Sequence, residues 1–529
     1  MYGKTNHHRM VIALLILAAG LLIPSWAANA SPPTAQARPK LSGPELTHGT
    51  EHFVIHYTFS GVDAVPAADT DRSDTPDWVE EAGVVMEAIW RVEINTMGWP
   101  APLPDRGEGG DNRFDVYLME LFSSGLAGYV SPDGGFVGDN PNTPRAEQQA
   151  AYGFLVLEND YIDPSPPAGL KVWSPEDWLR IIAAHEFNHM LQIAINGIHP
   201  MHFWYESTAN WMESQVFPHL PDNMESAGAV FKSPDTCMLR YGGVNRIESG
   251  LHWYGMWVFN QMLSEQYGGS LVLDIWYRMA DGYGYAPFDD AFTAVGTTFD
   301  DEVRRLALSV LLRDFNDGGQ FPTARLQEAV NAPGEWSPAD GVQRYAMEYI
   351  GLEMGGGTYT VTLSSDDPGV EAMLVGMRGE MADVYGPAHE FTVDFSRYDH
   401  AYLTVINLTR PPNEAGCATA RYTYALKDPV GDPNGAAYQI SAPNFAPPRV
   451  EAVTDPEDAP IMNPFYQTEY NIRDEIKEVD LPFDPIVPRG KPDGYELDSV
   501  YGINADEQGA EFVALNAPSG GVVAQMLYY

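Results

Sequence analysis

The chain has 529 residues, and 73 acidic residues against 30 basic ones give a formal net charge of −43. So acidic a surface argues against nucleic acid and anionic membranes as partners; it suits a salty or calcium-containing exterior, cationic substrates, or simply solubility. The length allows two or three domains with sizeable cores, and the two cysteines, Cys237 and Cys417, would have an oxidising exterior in which to pair, although their spacing alone leaves pairing open.

Lys4 and Arg9 precede an apolar core from Val11 to Ile23, and Ala28-Asn29-Ala30 stands before Ser31, so residues 1–30 read as a secretory signal peptide. The apolar run is short for a membrane span, and no later stretch is long and apolar enough to make one. A secreted monomer, extracellular or periplasmic, is expected. Residues 31–43 are a Pro/Ala-rich leader or linker. His52 to Tyr57 alternates as a strand.

Asp69, Asp71, Ser73, Asp77 and Glu80 then fall at positions 1, 3, 5, 9 and 12 of a calcium loop, with the Thr75 carbonyl at position 7. Asp74 stands where such a loop wants glycine, and aspartate tolerates left-handed geometry better than most residues. The competing reading is an acidic helix N-terminus, with Asp77 and Glu80 favouring the dipole. A helix is predicted from Asp77 to about Asn95, a strand from Arg113 to Leu118, and another over Phe154–Leu157.

Ser174-Pro175-Glu176-Asp177 signals the start of the next helix: a serine cap, proline at the first helical position and an acid three after the cap. Leu179, Ile182, Ala183 and Leu191 give it an apolar face, and Gly197 is its expected stop. His185-Glu186-Phe187-Asn188-His189 therefore lies mid-helix, with both imidazoles one turn apart on one face. That is the pattern of a zinc site, with Glu186 beside it as general base. A catalytic zinc needs a third protein ligand. The helix predicted over about Phe203–Phe217 offers Glu206 or Glu213, which lie about two turns, roughly 10 Å, apart, so one ion cannot easily use both. His199, His202 and His219 cluster nearby without ligand spacing and read as packing or solvated residues.

From Ser249 to about Asn331 the pattern is helical, with a helix from Val303 to Phe315 started by Asp300 or Asp301. After Gly355-Gly356-Gly357 the period changes to two, as in Tyr359-Val361-Leu363 and Phe391-Val393-Phe395, which predicts a small β-sandwich over 356–428. Residues 429–495 are a Pro/acid-rich linker, and residues 496–529 a C-terminal β segment.

The pairing of His-Glu-x-x-His with Trp204-Tyr205-Glu206-Ser207-Thr208-Ala209-Asn210-Trp211-Met212-Glu213 resembles secreted zinc metallopeptidases of the gluzincin group, thermolysin-like and hyicolysin-like, over about residues 45–345. The resemblance implies an α+β fold, with a zincin-type catalytic domain over 44–345 made of a strand-rich N-terminal lobe and a helical C-terminal lobe. It also implies Glu206 as third ligand and Asn210 as the group behind the first histidine. A tyrosine or histidine near the next helix start, Tyr254 or His252, is implied as oxyanion donor. The implied activity is endopeptidase cleavage of protein or peptide substrates, with zinc as cofactor and calcium as a possible structural one. The alternative is a non-catalytic, calcium-stabilised extracellular surface or adhesion protein with an inactive zincin domain; the presence of Glu186 favours the enzyme, because a binding module has no use for a base there.

Overall fold

The computed structural model describes residues 38–133, 136–162, 173–220, 223–240, 252–316 and 318–428, together with the backbone of three C-terminal strands. The signal peptide, the leader up to residue 37 and the 429–495 linker lie outside the described residues. The fold is α+β, and among the described residues no helix is long and apolar enough to cross a membrane.

The N-terminal lobe is a five-stranded sheet of β1 (Leu46–Gly49), β2 (Phe53–Tyr57), β3 (Phe114–Met119), β4 (Gly128–Pro132) and β5 (Gly153–Glu158), in the order β1-β2-β3-β5-β4. β2, β3 and β5 run parallel, and the outer strands run antiparallel to their neighbours. Every residue of β2 and β5 is buried, as expected of parallel strands covered on both faces. Helix α1 (Asp77–Trp90) packs on this sheet and on α2 (Pro175–Ile193), and α2 also crosses β4 and β5. Phe187, at the centre of the His-Glu-x-x-His run, is wedged against Phe53, Phe114 and Trp90 at ring distances of 5.5, 6.3 and 5.9 Å. One face of α2 is thus bolted to the sheet, which turns its histidines the other way.

At the rim of the sheet, His56 is buried between Asp115 (2.7 Å) and Glu45 (2.8 Å) and stacks on Tyr117. Arg38 pairs with Asp105, Asp115 and Asp133 beside it.

The histidines of α2 face a helical lobe of α3 (His202–Val216), α4 (Asn223–Lys232), α5 (His252–Gly255), α6 (Trp257–Tyr267), α7 (Gly269–Met279), α8 (Ala286–Ala294) and α9 (Phe299–Leu312). α3 is its hub, packing on α2, α5 and α6. Its aromatic face holds Trp204 against Phe288 (5.0 Å) and Tyr205 against Trp276 (4.8 Å). The cap of α9 is Thr298, whose hydroxyl accepts from the Asp301 amide, so Asp300 and Asp301 lie inside the first turn rather than before it. The helical pattern ends at Leu312, short of the expected Asn331.

The β-sandwich starts earlier than its alternation suggests. β6 (Glu328–Val330), β7 (Gly334–Trp336), β8 (Val342–Gln343) and β9 (Ala346–Leu352) already belong to it. They are joined by β10 (Thr358–Ser365), β11 (Val370–Arg378), β12 (Met381–Ala388), β13 (Glu390–Asp394), β14 (His400–Asn407), β15 (Thr419–Ala420) and β16 (Tyr422–Lys427). The sheets run β13-β10-β16-β7 and β12-β11-β14-β9-β6, with β8 and β15 paired apart. Ile350, Val361, Leu374, Phe391, Leu403 and Tyr424 share the core between them. β6 to β9 are too short, or too uniformly buried, to alternate, which is why the expected boundaries at 345 and 356 fall too late.

The sandwich is tied to the helical lobe. Tyr349 donates to the Ala307 carbonyl, Arg304 pairs with Glu371, and Cys237 is disulfide-bonded to Cys417 across a separation of 180 residues. A cross-link of this span is worth about 2–5 kcal/mol. The C-terminal strands β17 (Glu496–Ala505), β18 (Gln508–Asn516) and β19 (Val522–Tyr528) form an antiparallel meander of their own.

Burial alone would lower the pKa of His56, but Asp115 and Glu45 outweigh it and raise it above 6.5. Its charged form therefore stabilises the fold fully below the unfolded value, and that contribution is lost as pH rises through the folded one. The melting-temperature gap between wild type and His56→Gln should accordingly be wide at pH 5 and narrow by pH 9. A gap that stays constant over that range would contradict the assignment.

Candidate metal centre

Two ring nitrogens and one carboxylate oxygen converge where α2 meets α3. His185 Nε2 and His189 Nε2 are 3.1 Å apart, and Glu206 Oε2 lies 3.5 Å from the first and 3.6 Å from the second. A tetrahedral ion bound at 2.0–2.1 Å would set its ligand atoms about 3.3–3.4 Å apart, so this triangle fits zinc, and among the described residues no fourth ligand joins it. Glu206 Oε2 is buried and has no hydrogen bond. Burial would raise the Glu206 pKa, but His189 and His185 hold it below the ordinary carboxylate value. For His185, burial works to lower the pKa, whereas Glu206 and Glu213 raise it well above the usual imidazole value. Buried charges that lean on each other this way are what a bound cation would replace.

Each histidine is held from behind. Glu213 Oε1 takes the Nδ1 proton of His185 at 2.7 Å, and Gln192 Oε1 takes that of His189 at 2.7 Å. Both rings are thereby oriented with Nε2 toward the centre. This corrects the sequence-based roles of two residues. Glu213, the rival ligand, stands behind the first histidine rather than in the ligand triangle. Asn210, expected in that place, donates instead to Ser226 Oγ (2.7 Å) and to the Tyr254 carbonyl (3.2 Å), pinning α4 and α5 to α3. Gln192 was not foreseen, although a hydrogen-bonding residue three positions after His189 is a readable signal.

Glu186 is fully buried, and neither carboxylate oxygen has a hydrogen-bond partner. Burial raises its pKa well above the ordinary range; His185 opposes this, while Glu206 and Glu213 add to it. Gly128 of the edge strand lies directly against it. A β-carbon there would sit 2.6 Å from Ile182 Cγ2 and 2.9 Å from Glu186 Cγ, so only glycine lets β4 approach α2 this closely.

The two expected oxyanion donors part company. The Tyr254 ring stacks on His185 at 5.8 Å and so borders the centre. His252 points into a small apolar cavity with Met238, Met256, Tyr345 and Met347; both its ring nitrogens are unpartnered, and burial lowers its pKa to about 4. Residues two apart on a helix project to nearly opposite sides, so only one of the pair could reach the site. His199, His202 and His219 stay outside the ligand triangle.

In the acidic loop, Asp69, Asp71 and Asp77 bring carboxylate oxygens within 4.8 Å of one another. Asp74 takes up left-handed geometry (φ 69°), and the Ser73 amide donates to Asp69 and Asp71. The Ser73 hydroxyl donates to the Thr75 carbonyl, and Glu80 stands outside the carboxylate group, in the first turn of α1.

No protein-family model matches the chain, and no curated protein matches it.

Glu213→Ala should weaken zinc binding about 10–100-fold in a chelator competition, the usual effect of removing a ligand's outer partner. Asn210→Ala should lower the melting temperature and leave zinc affinity within about threefold. The reverse pattern would restore the original assignment.

Proposed function

We propose that the chain is a secreted zinc-dependent endopeptidase of gluzincin type, with a zincin-like catalytic domain in which His185, His189 and Glu206 hold the metal and Glu186 is the general base. The observation that carries this reading is the ligand triangle, with both histidines held so that their Nε2 atoms face its centre. Zinc at that position supplies Lewis acidity toward a peptide carbonyl and lowers the pKa of a water. The protein's own groups do the rest. Glu186, with its proton affinity raised by burial and by neighbouring carboxylates, accepts the proton of the attacking water and returns it to the leaving amine. Tyr254, stacked on His185, is the donor we assign to the carbonyl oxygen.

An extended substrate has a surface to bind. Among the described residues β4 is the outer strand of its sheet, and its edge is the place we assign to an extended substrate. Gly128 places that edge beside Glu186. Export from the cytoplasm is supported by the Cys237–Cys417 disulfide, which belongs to an oxidising compartment. Calcium, held by Asp69, Asp71 and Asp77, is assigned a structural part at the N-terminus of α1.

The decisive assay is cleavage of an unstructured protein by the chain lacking its first 30 residues. Activity should disappear with a zinc chelator, and Glu186→Gln should lower it by about 10²–10⁴-fold with zinc still bound. Cleavage that survives this substitution would sink the mechanism. For the loop, millimolar calcium should raise the melting temperature of wild type but not of Asp71→Ala, and indifference of both to calcium would remove the ion from the scheme.

A further inference from the structure

The end of α1 contains two features that cost stability. Over Arg91–Thr96 the helix widens into π-type turns, a rare arrangement that tends to occur at functional sites. Within it, Glu93 is completely buried; its Oε1 has no partner, and burial raises its pKa well above the carboxylate range, against the influence of Asn188 and His185. A buried carboxyl so poorly satisfied is destabilising unless it serves something else.

What it serves is visible in its one hydrogen bond. Asn188 Nδ2 donates to Glu93 Oε2 at 3.0 Å. The Asn188 carbonyl therefore faces Gln192, whose Nε2 donates to it at 2.7 Å and to the Tyr205 carbonyl at 3.1 Å. With both amide protons of Gln192 committed, only its carbonyl is left for His189, 2.7 Å from Nδ1. The chain has one sense because the Tyr205 carbonyl can only accept at one end and Glu93 Oε2 accepts from Asn188 at the other. That sense makes His189 Nδ1 a donor and leaves Nε2 bare. From these contacts we propose that Glu93 is a positioning residue for His189, acting through Asn188 and Gln192 to fix the ring's tautomer and aim. Its consequence for zinc rests on the metal centre proposed above; its effect on the ring does not.

The test uses Glu93→Gln, which keeps an accepting oxygen, Glu93→Met, which removes it at similar length, Gln192→Met, and the Glu93→Met/Gln192→Met pair. Two quantities are read in the chain lacking its signal peptide. One is zinc affinity by chelator competition; the other is the His189 Nδ1–H signal in ¹⁵N-histidine-labelled, metal-free protein. Glu93→Met should weaken zinc about tenfold, the low end for an outer partner because two amides intervene, and should broaden the Nδ1–H signal by exchange. Glu93→Gln should stay within about twofold on zinc and keep the signal. Gln192→Met should cost about 10–100-fold, and adding Glu93→Met to it should change little, since the path is already cut.

Wild-type behaviour of Glu93→Met in both readouts overturns the proposal, as does a double variant whose losses multiply. A wild-type protein that takes up no zinc would defeat the metal-centre reading, while the proton signal across the variants would still decide this one. If Glu93→Met does not fold, Asn188→Ala interrupts the chain one link later and carries the same expectations.

Discussion

Four carboxyl groups, Glu93, Glu186, Glu206 and Glu213, are buried around two histidines where α1, α2 and α3 meet. Charge of one sign confined in a low-dielectric interior must be neutralised by protons or by a cation. The rest of the structure is arranged around that requirement. Phe187 fastens α2 to the sheet, α3 brings both Glu206 and Glu213, and α5 lays Tyr254 over His185. The raised and lowered pKa values of the group are consequences of this crowding rather than separate devices.

The parts of this arrangement that follow from local spacing were legible in the sequence. A capped helix with two histidines one turn apart and a following helix bearing Glu206 required only periodicity and cap chemistry, and the structure brings those three residues together. What depends on how two helices face each other was not legible. Asn210 and Glu213 lie three apart on one helix, and only packing decides which of them meets His185. Glu93 meets Asn188 from 95 residues earlier in the chain, beyond the reach of local spacing, whereas Gln192 lies three positions after His189 and was within it.

The same division holds for the fold. Strands β10 to β16 include stretches that alternate clearly enough to announce a sandwich, whereas β9 is buried along its whole length and β6 to β8 have two or three residues each. Periodicity carries no signal in either case. β4, the edge beside Glu186, is also missing from the alternation, because its glycine is present for closeness to α2 rather than for strand propensity.

The docking of α9 on the sandwich has a practical corollary for anyone shortening the chain. A cut at the glycine run near residue 355 looks natural from the sequence, but it would strip β10 to β16 from both sheets and remove Glu371, the partner of Arg304. It would also leave Cys237 as a lone thiol, with the apolar side of β9 turned to water. The smallest piece able to present the two histidines in their native setting therefore runs on to about residue 427, and the sandwich is part of the folding unit rather than an appendage to it.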